Sequence, residues 1–147
     1  MPDRPIPPAT RLWVSLARTY RHVSRRQARA LAEVGLSVPQ FDVLATLVRS
    51  PECGPRMGEL SDRLLVTEGN VTGLVSRLED AGLARRGPDP ADARAVRVQL
   101  TDEGRALALR AVPRVEAELD AVFEGVPEVE MRQLQRLMRR ARRSEPR

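Results

Sequence analysis

Few side chains in this sequence suit covalent or acid–base chemistry, while many suit gripping an anion. The 147 residues hold one histidine, His22, and one cysteine, Cys53, and all 25 basic residues are arginine. His22 lies in an arginine-rich stretch and reads as a surface or interface residue; no Gly-rich phosphate loop accompanies it. Neither His22 nor Cys53 comes with acids spaced to complete a metal site. The chain therefore reads as a non-enzyme without a metal or cofactor. What it does offer is a run of small and polar residues at helical spacing: Thr67, Gly69, Asn70, Thr72, Gly73, Ser76 and Arg77. At about 100° per residue, Val71, Leu74, Val75 and Leu78 form one apolar stripe, opposite Gly69, Gly73, Ser76 and Asp80. Two glycines on an exposed helix face cost about 1 kcal/mol each relative to alanine. Their missing side chains would let the backbone sit deep in a major groove while Thr72, Ser76 and Arg77 reach base edges or phosphates. A merely solvated helix tolerates the same glycines, so the helix alone leaves both readings open.

The residues that follow add weight to the first reading. Ala84 to Leu100 holds two hydrophobic stretches separated by Gly87-Pro88-Asp89-Pro90-Ala91-Asp92-Ala93-Arg94, and the second alternates, with Val96, Val98 and Leu100 inward and Arg97 and Gln99 outward. That pattern predicts a two-stranded hairpin with a long, proline-stiffened tip. Such a wing reaches DNA by placing arginine in the narrow, electronegative minor groove. Arg94 stands at the tip with Asp92 placed to hold its guanidinium, and Arg85 and Arg86 in the first strand are expected to face neighbouring phosphates. Arg97 reads as an ordinary surface arginine.

Helices must position these groups. Residues 1–10, with Pro at 2, 5, 7 and 8, read as an irregular arm. From Arg11 to about Val34 an apolar stripe marks a long amphipathic helix. Ser37 and Gln40 form a capping-box signature for a second helix reaching about Arg49. A third spans about Met57 to Leu65; Thr67 caps a fourth that ends near Ala81, where Gly82 supplies a left-handed turn. Thr101 caps a fifth helix reaching about Glu124, and Pro127 opens a sixth. The expected fold is mainly α: a winged helix-turn-helix with a two-stranded β wing over residues 36–100, flanked by long N- and C-terminal dimerisation helices over 11–35 and 101–147. Neither flanking region is needed to complete the winged core, so each apolar stripe calls for a partner chain, and a homodimer is expected.

Charge says less than it promises. The net charge is +5, yet residues 1–35 carry seven arginines against two acids, while residues 56–100 carry seven against seven. Bulk charge permits DNA binding without demonstrating it, and the neutral middle leaves room for a winged-helix protein-interaction module that never touches DNA. No apolar run approaches the roughly 20 residues of a membrane span, and the first residues lack a signal peptide's apolar stretch, so a cytoplasmic protein is expected.

The run from Leu64 to Glu79, the segment Ala81-Gly82-Leu83-Ala84-Arg85-Arg86, and Asp89-Pro90-Ala91-Asp92-Ala93-Arg94 leading to Val98-Gln99-Leu100-Thr101-Asp102-Glu103-Gly104 together resemble the MarR family of transcription regulators. The resemblance implies a homodimer on a pseudo-palindromic double-stranded operator, repressing its own or neighbouring genes until a small-molecule effector releases it. It also implies an effector pocket between the dimerisation helices and the winged domain, for which Trp13, Leu16, Tyr20, Phe41 and Leu44 are candidates. Ala93 stands where the family often has a wing arginine, leaving Arg94 as the main tip contact. Some relatives sense oxidants through a cysteine near the first helix. Cys53 follows the second helix instead, and redox sensing through it is kept only as an alternative.

Overall fold

The computed structural model describes residues 5–64 and 68–143. Its elements are α1 (Pro8–Ala32), α2 (Val38–Val48), α3 (Met57–Leu64), α4 (Glu68–Asp80), β1 (Ala84–Asp89), β2 (Asp92–Leu100), α5 (Asp102–Phe123) and α6 (Glu128–Arg142). This is a winged helix-turn-helix, α3 to β2, between long terminal helices. α1 begins at Pro8, inside the expected arm, because a proline in the first turn gives up only an N–H that has no intrahelical partner there.

The caps follow the sequence. Ser37 and Gln40 close a reciprocal box, with Ser37 Oγ accepting from Gln40 N at 3.4 Å and Gln40 Oε1 accepting from Ser37 N at 3.0 Å. Thr101 Oγ1 accepts from Gly104 N at 3.0 Å and donates to Gly82 O at 2.7 Å, tying the start of α5 to the end of α4. Gly82 takes φ 70° just past α4, the left-handed conformation that glycine enters without penalty. Thr67, the expected cap of α4, lies outside the described residues.

Burial concentrates in the middle of the chain. Val43, Leu44, Leu60, Val71, Val75 and Leu78 are fully buried, joined by Leu31 from the end of α1, Val98 from β2 and Ala108, Ala111 and Val115 from α5. The α4 stripe read from the sequence, Val71, Leu74, Val75 and Leu78, is the face that enters this core. α1 buries only Leu31 and α6 buries nothing, so most of both helices stands off the core.

The wing differs from its expected shape. β1 and β2 pair antiparallel from Ala84↔Leu100 out to Asp89↔Asp92, with a register irregularity between Pro88 and Asp89. The long tip is therefore only Pro90-Ala91. Gly87 and Pro88 look like strand breakers, but β1 is the outer strand, and an edge strand tolerates proline. On its other side β2 meets the segment before α3, through a bridge between Arg56 and Arg97 and a bond from Val98 N to Pro55 O at 3.0 Å. Gly54 makes that approach possible: at φ +70° a Cβ there would lie 1.8 Å from Val98 O. Val98 is buried as expected, whereas Val96, further out along the wing, is 39% exposed.

Candidate nucleic-acid interface

With the apolar side of α4 sunk in the core, its opposite side faces outward. Asn70, Thr72 and Arg77 are exposed, and Gly73 and Ser76 lie half-buried between them. Gly69 falls in the first turn of the same helix. A Cβ added at Gly73 would meet nothing within 4 Å, so none of the described residues demands a glycine there.

Arg86, expected to face phosphate, has a different task. Its Nη1 binds the Glu79 carboxylate, its Nη2 donates at 3.1 Å to both Thr72 O and Ser76 Oγ, and its backbone N donates to Glu79 Oε1 at 2.7 Å. β1 is thereby clamped to α4, and the Ser76 hydroxyl already has a cationic donor. Arg85, its neighbour on the other face of the strand, remains exposed.

At the tip the expected Asp92–Arg94 pairing is corrected. Asp92 Oδ1 accepts the backbone N–H of Arg94 at 3.0 Å, fixing the main chain rather than the guanidinium, and the Arg94 side chain is exposed. This is the short carboxylate-to-backbone turn that aspartate favours.

Nothing in the sequence pattern marks the buried carboxylate of the wing. The Asp89 side chain is fully buried; its Oδ2 accepts from Arg56 Nε at 2.6 Å and Arg97 Nε at 2.9 Å, and its Oδ1 accepts from Ala91 N at 2.8 Å. The Ala91 N–H and then the Arg56 guanidinium hold the Asp89 carboxyl below its usual range, and Asp89 in turn raises Arg56. Arg97, read as a surface arginine, also donates from Nη1 to Gly54 O at 2.6 Å. The signal lies in the register: Arg97 pairs with Gly87, two residues before Asp89 on the neighbouring strand, within diagonal reach.

Cys53 is exposed, with Arg97 Nη1 3.8 Å from its Sγ. His22 is exposed on α1. Among the described residues no three of His, Cys, Asp and Glu gather to hold a metal, and no helix is long and apolar enough to cross a membrane.

A cavity of about 340 Å³ lies between the terminal helices and the winged core, lined by Gln27, Phe41, Asp42, Arg63, Val115 and Glu116 among others. Of the five residues expected in such a pocket only Phe41 lines it. Leu44 is fully buried in the core, Trp13 and Tyr20 are 68% and 74% exposed on α1, and Leu16 lies on that same outer stretch. Their stripe runs along the part of α1 that stands off the core. Asp42 is exposed overall, but partial desolvation against the cavity wall raises its carboxyl.

Comparison with known proteins agrees with this geometry. A model of the MarR family matches residues 34–95. The HTH-type transcriptional regulator YkoM of Bacillus subtilis is 32% identical over 134 residues, covering 90% of this chain and 85% of its own. Among solved structures, the MarR family regulator Sco3205 of Streptomyces coelicolor, in complex with DNA, superposes with a TM-score of 0.85 at 26% identity, covering 98% of this chain and 92% of that one. CouR of Rhodococcus jostii, bound to p-coumaroyl-CoA, has a TM-score of 0.81 at 29% identity over 86% of this chain and 88% of its own.

Proposed function

This chain belongs to the MarR family, a DNA-binding transcription regulator and not an enzyme, and on that premise we propose that it acts as a homodimeric repressor of its own or neighbouring genes, released by a small molecule. In this reading α4 enters the major groove of each half-site and the wing reaches the adjacent minor groove. Asn70, Thr72 and Arg77 meet bases or phosphates, Gly69 and Gly73 let the backbone approach, and Arg94 is the minor-groove contact, with Arg85 on a phosphate. The observation that carries the reading is Gly73: a half-buried glycine on the outward face of the helix, with open space where its Cβ would be. Its cost to the helix is offset only if something outside the chain comes close.

Dimerisation is supported by what α1 and α6 leave uncovered: Leu12, Trp13 and Tyr20 on one, Leu134 and Leu137 on the other. An apolar cleft of about 850 Å³ between the end of α5 and α6, lined by Phe123, Val126, Met131 and Leu134, continues that surface. A second copy buries these faces on both subunits at once. The effector reading rests on the cavity beside Phe41 and Asp42, whose wall includes Arg63 and Leu64 at the end of α3. A ligand lodged there would push directly on the first helix of the helix-turn-helix, and the structurally similar CouR, bound to p-coumaroyl-CoA, supports a small-molecule effector.

The test is binding of the purified protein to the DNA upstream of its own gene across a range of salt. A steep salt dependence with strong sequence preference is expected. Equal affinity for that DNA and for a scrambled duplex would refute the operator assignment.

A further inference from the structure

A two-stranded wing has little of its own to hold it at a fixed angle, because an isolated hairpin is marginal in water. Here the donors on one buried carboxylate come from three separate places. Arg56 precedes α3, Arg97 lies on β2, and the Ala91 N–H belongs to the tip; together they occupy both oxygens of Asp89. The connection continues outward, since Arg56 Nη1 lies 3.9 Å from Asp92 Oδ2 and Asp92 Oδ1 holds the backbone of Arg94. Arg97 extends it inward by donating to Gly54 O at 2.6 Å. An unbroken line of charge-assisted contacts thus runs from the foot of the helix-turn-helix to the one tip arginine.

We propose that Asp89 is the positioning residue of the wing: by binding Arg56, Arg97 and the backbone of the tip at once, it sets the angle at which Arg94 meets DNA. The proposal rests on the role given to Arg94 above. It has a second consequence. Arg56 and Arg97 already bind a carboxylate, so among the described residues the wing arginines without one are Arg85 and Arg94. Removing the Asp89 charge both unaims Arg94 and releases two guanidinium groups. Specific binding then weakens while non-specific binding becomes stronger and steeper in salt, by about 0.9 in log–log slope for each new phosphate contact. A purely structural role predicts something else: less active protein, with slope and specificity ratio unchanged.

The experiment compares wild type, Asp89→Asn, Arg94→Ala and the double variant by fluorescence anisotropy. The probes are a duplex selected in vitro by the wild-type protein and a scrambled duplex, each from about 50 to about 200 mM salt, with active fractions fixed by stoichiometric titration. Asp89→Asn is expected to lower the ratio of specific to non-specific affinity about tenfold and to steepen the salt slope. Arg94→Ala should cost a similar amount alone and almost nothing further in the Asp89→Asn background. Strictly additive losses, or a lower active fraction with unchanged ratio and slope, would overturn the proposal. Wild-type affinity for Arg94→Ala alone strikes the role of Arg94 itself and takes the proposal with it. Should Asp89→Asn not fold, Arg56→Met removes one tether while Arg97 still pairs the buried carboxylate, and an unchanged specificity ratio in that variant overturns the proposal equally.

Discussion

Glycine answers opposite demands at two helical positions. At Gly104 a Cβ would fall 1.8 Å from Leu83 O, a backbone atom that cannot step aside, whereas at Gly73 it would meet nothing within 4 Å. Gly104→Ala should therefore destabilise the protein by about 2–4 kcal/mol in denaturant unfolding. Gly73→Ala should stabilise it by about 1 kcal/mol, raising the melting temperature by about 2–4 °C, yet weaken operator binding as the new methyl meets the groove. Unchanged DNA affinity in Gly73→Ala would remove the main argument for the α4 face. Two carboxyls, the exposed Asp42 and the buried Asp89, also separate by sign. Burial raises Asp42 above its ordinary 3.8, so between 3.8 and its folded value the native state holds the extra proton and stability falls as pH rises. Asp42→Asn should then be more stable than wild type at pH 7 in urea, with the gap closing below about pH 3.8. Asp89 runs the other way: with its carboxyl lowered by the Ala91 N–H and Arg56, its contribution is present above 3.8 and lost as pH falls through its folded value.

At the scale of elements, local chemistry was legible and partnership was not. Ser37, Gly82 and Thr101 could be read as helix punctuation because a cap is satisfied within three or four residues of itself. Thr101 goes further, since its hydroxyl serves both the first turn of α5 and Gly82 O at the end of α4. Thr101→Ala should cost about 1–2 kcal/mol in chemical denaturation, the upper end of a cap loss, because both bonds go together. A change below a few tenths would show that water replaces them. The Arg56–Asp89 contact, by contrast, joins residues 33 apart in sequence, and no local pattern announces such a pair. The hairpin register, which brings Arg97 to the same carboxylate, is disguised by Gly87 and Pro88, which resemble a turn. The candidate α4 face follows from helical periodicity, whereas the pairing of Arg86 with Glu79, which turns Arg86 from a phosphate contact into a clamp, leaves no periodic trace because it joins helix and strand. Trp13 and Tyr20 show the same limit. An apolar stripe says that a surface will be covered, but not whether by the same chain or another.

For the whole molecule, charge and apolar surface divide between the two ends and the middle. Three arginines of the winged core bind carboxylates, Arg56 and Arg97 on Asp89 and Arg86 on Glu79, while Arg77, Arg85 and Arg94 stay exposed. A single copy engages one half-site, and two copies held at fixed spacing supply what one lacks: coupling two half-site contacts gains a factor of about 10² to 10⁴ without any new contact. The helices that would do the coupling are those with least to do at home. Leu134 and Leu137 on α6 are 45% and 53% exposed and take no part in the core. Replacing both with glutamate puts charge where a partner helix would pack and leaves the winged core intact. The double variant should sediment as a monomer, keep the circular-dichroism signature of the folded chain, and bind a full operator about 10²-fold more weakly while holding its affinity for an isolated half-site. A variant that remains dimeric would move the interface away from α6. One that turns monomeric without losing operator affinity would mean that each winged unit reads DNA alone, and that its exposed arginines suffice.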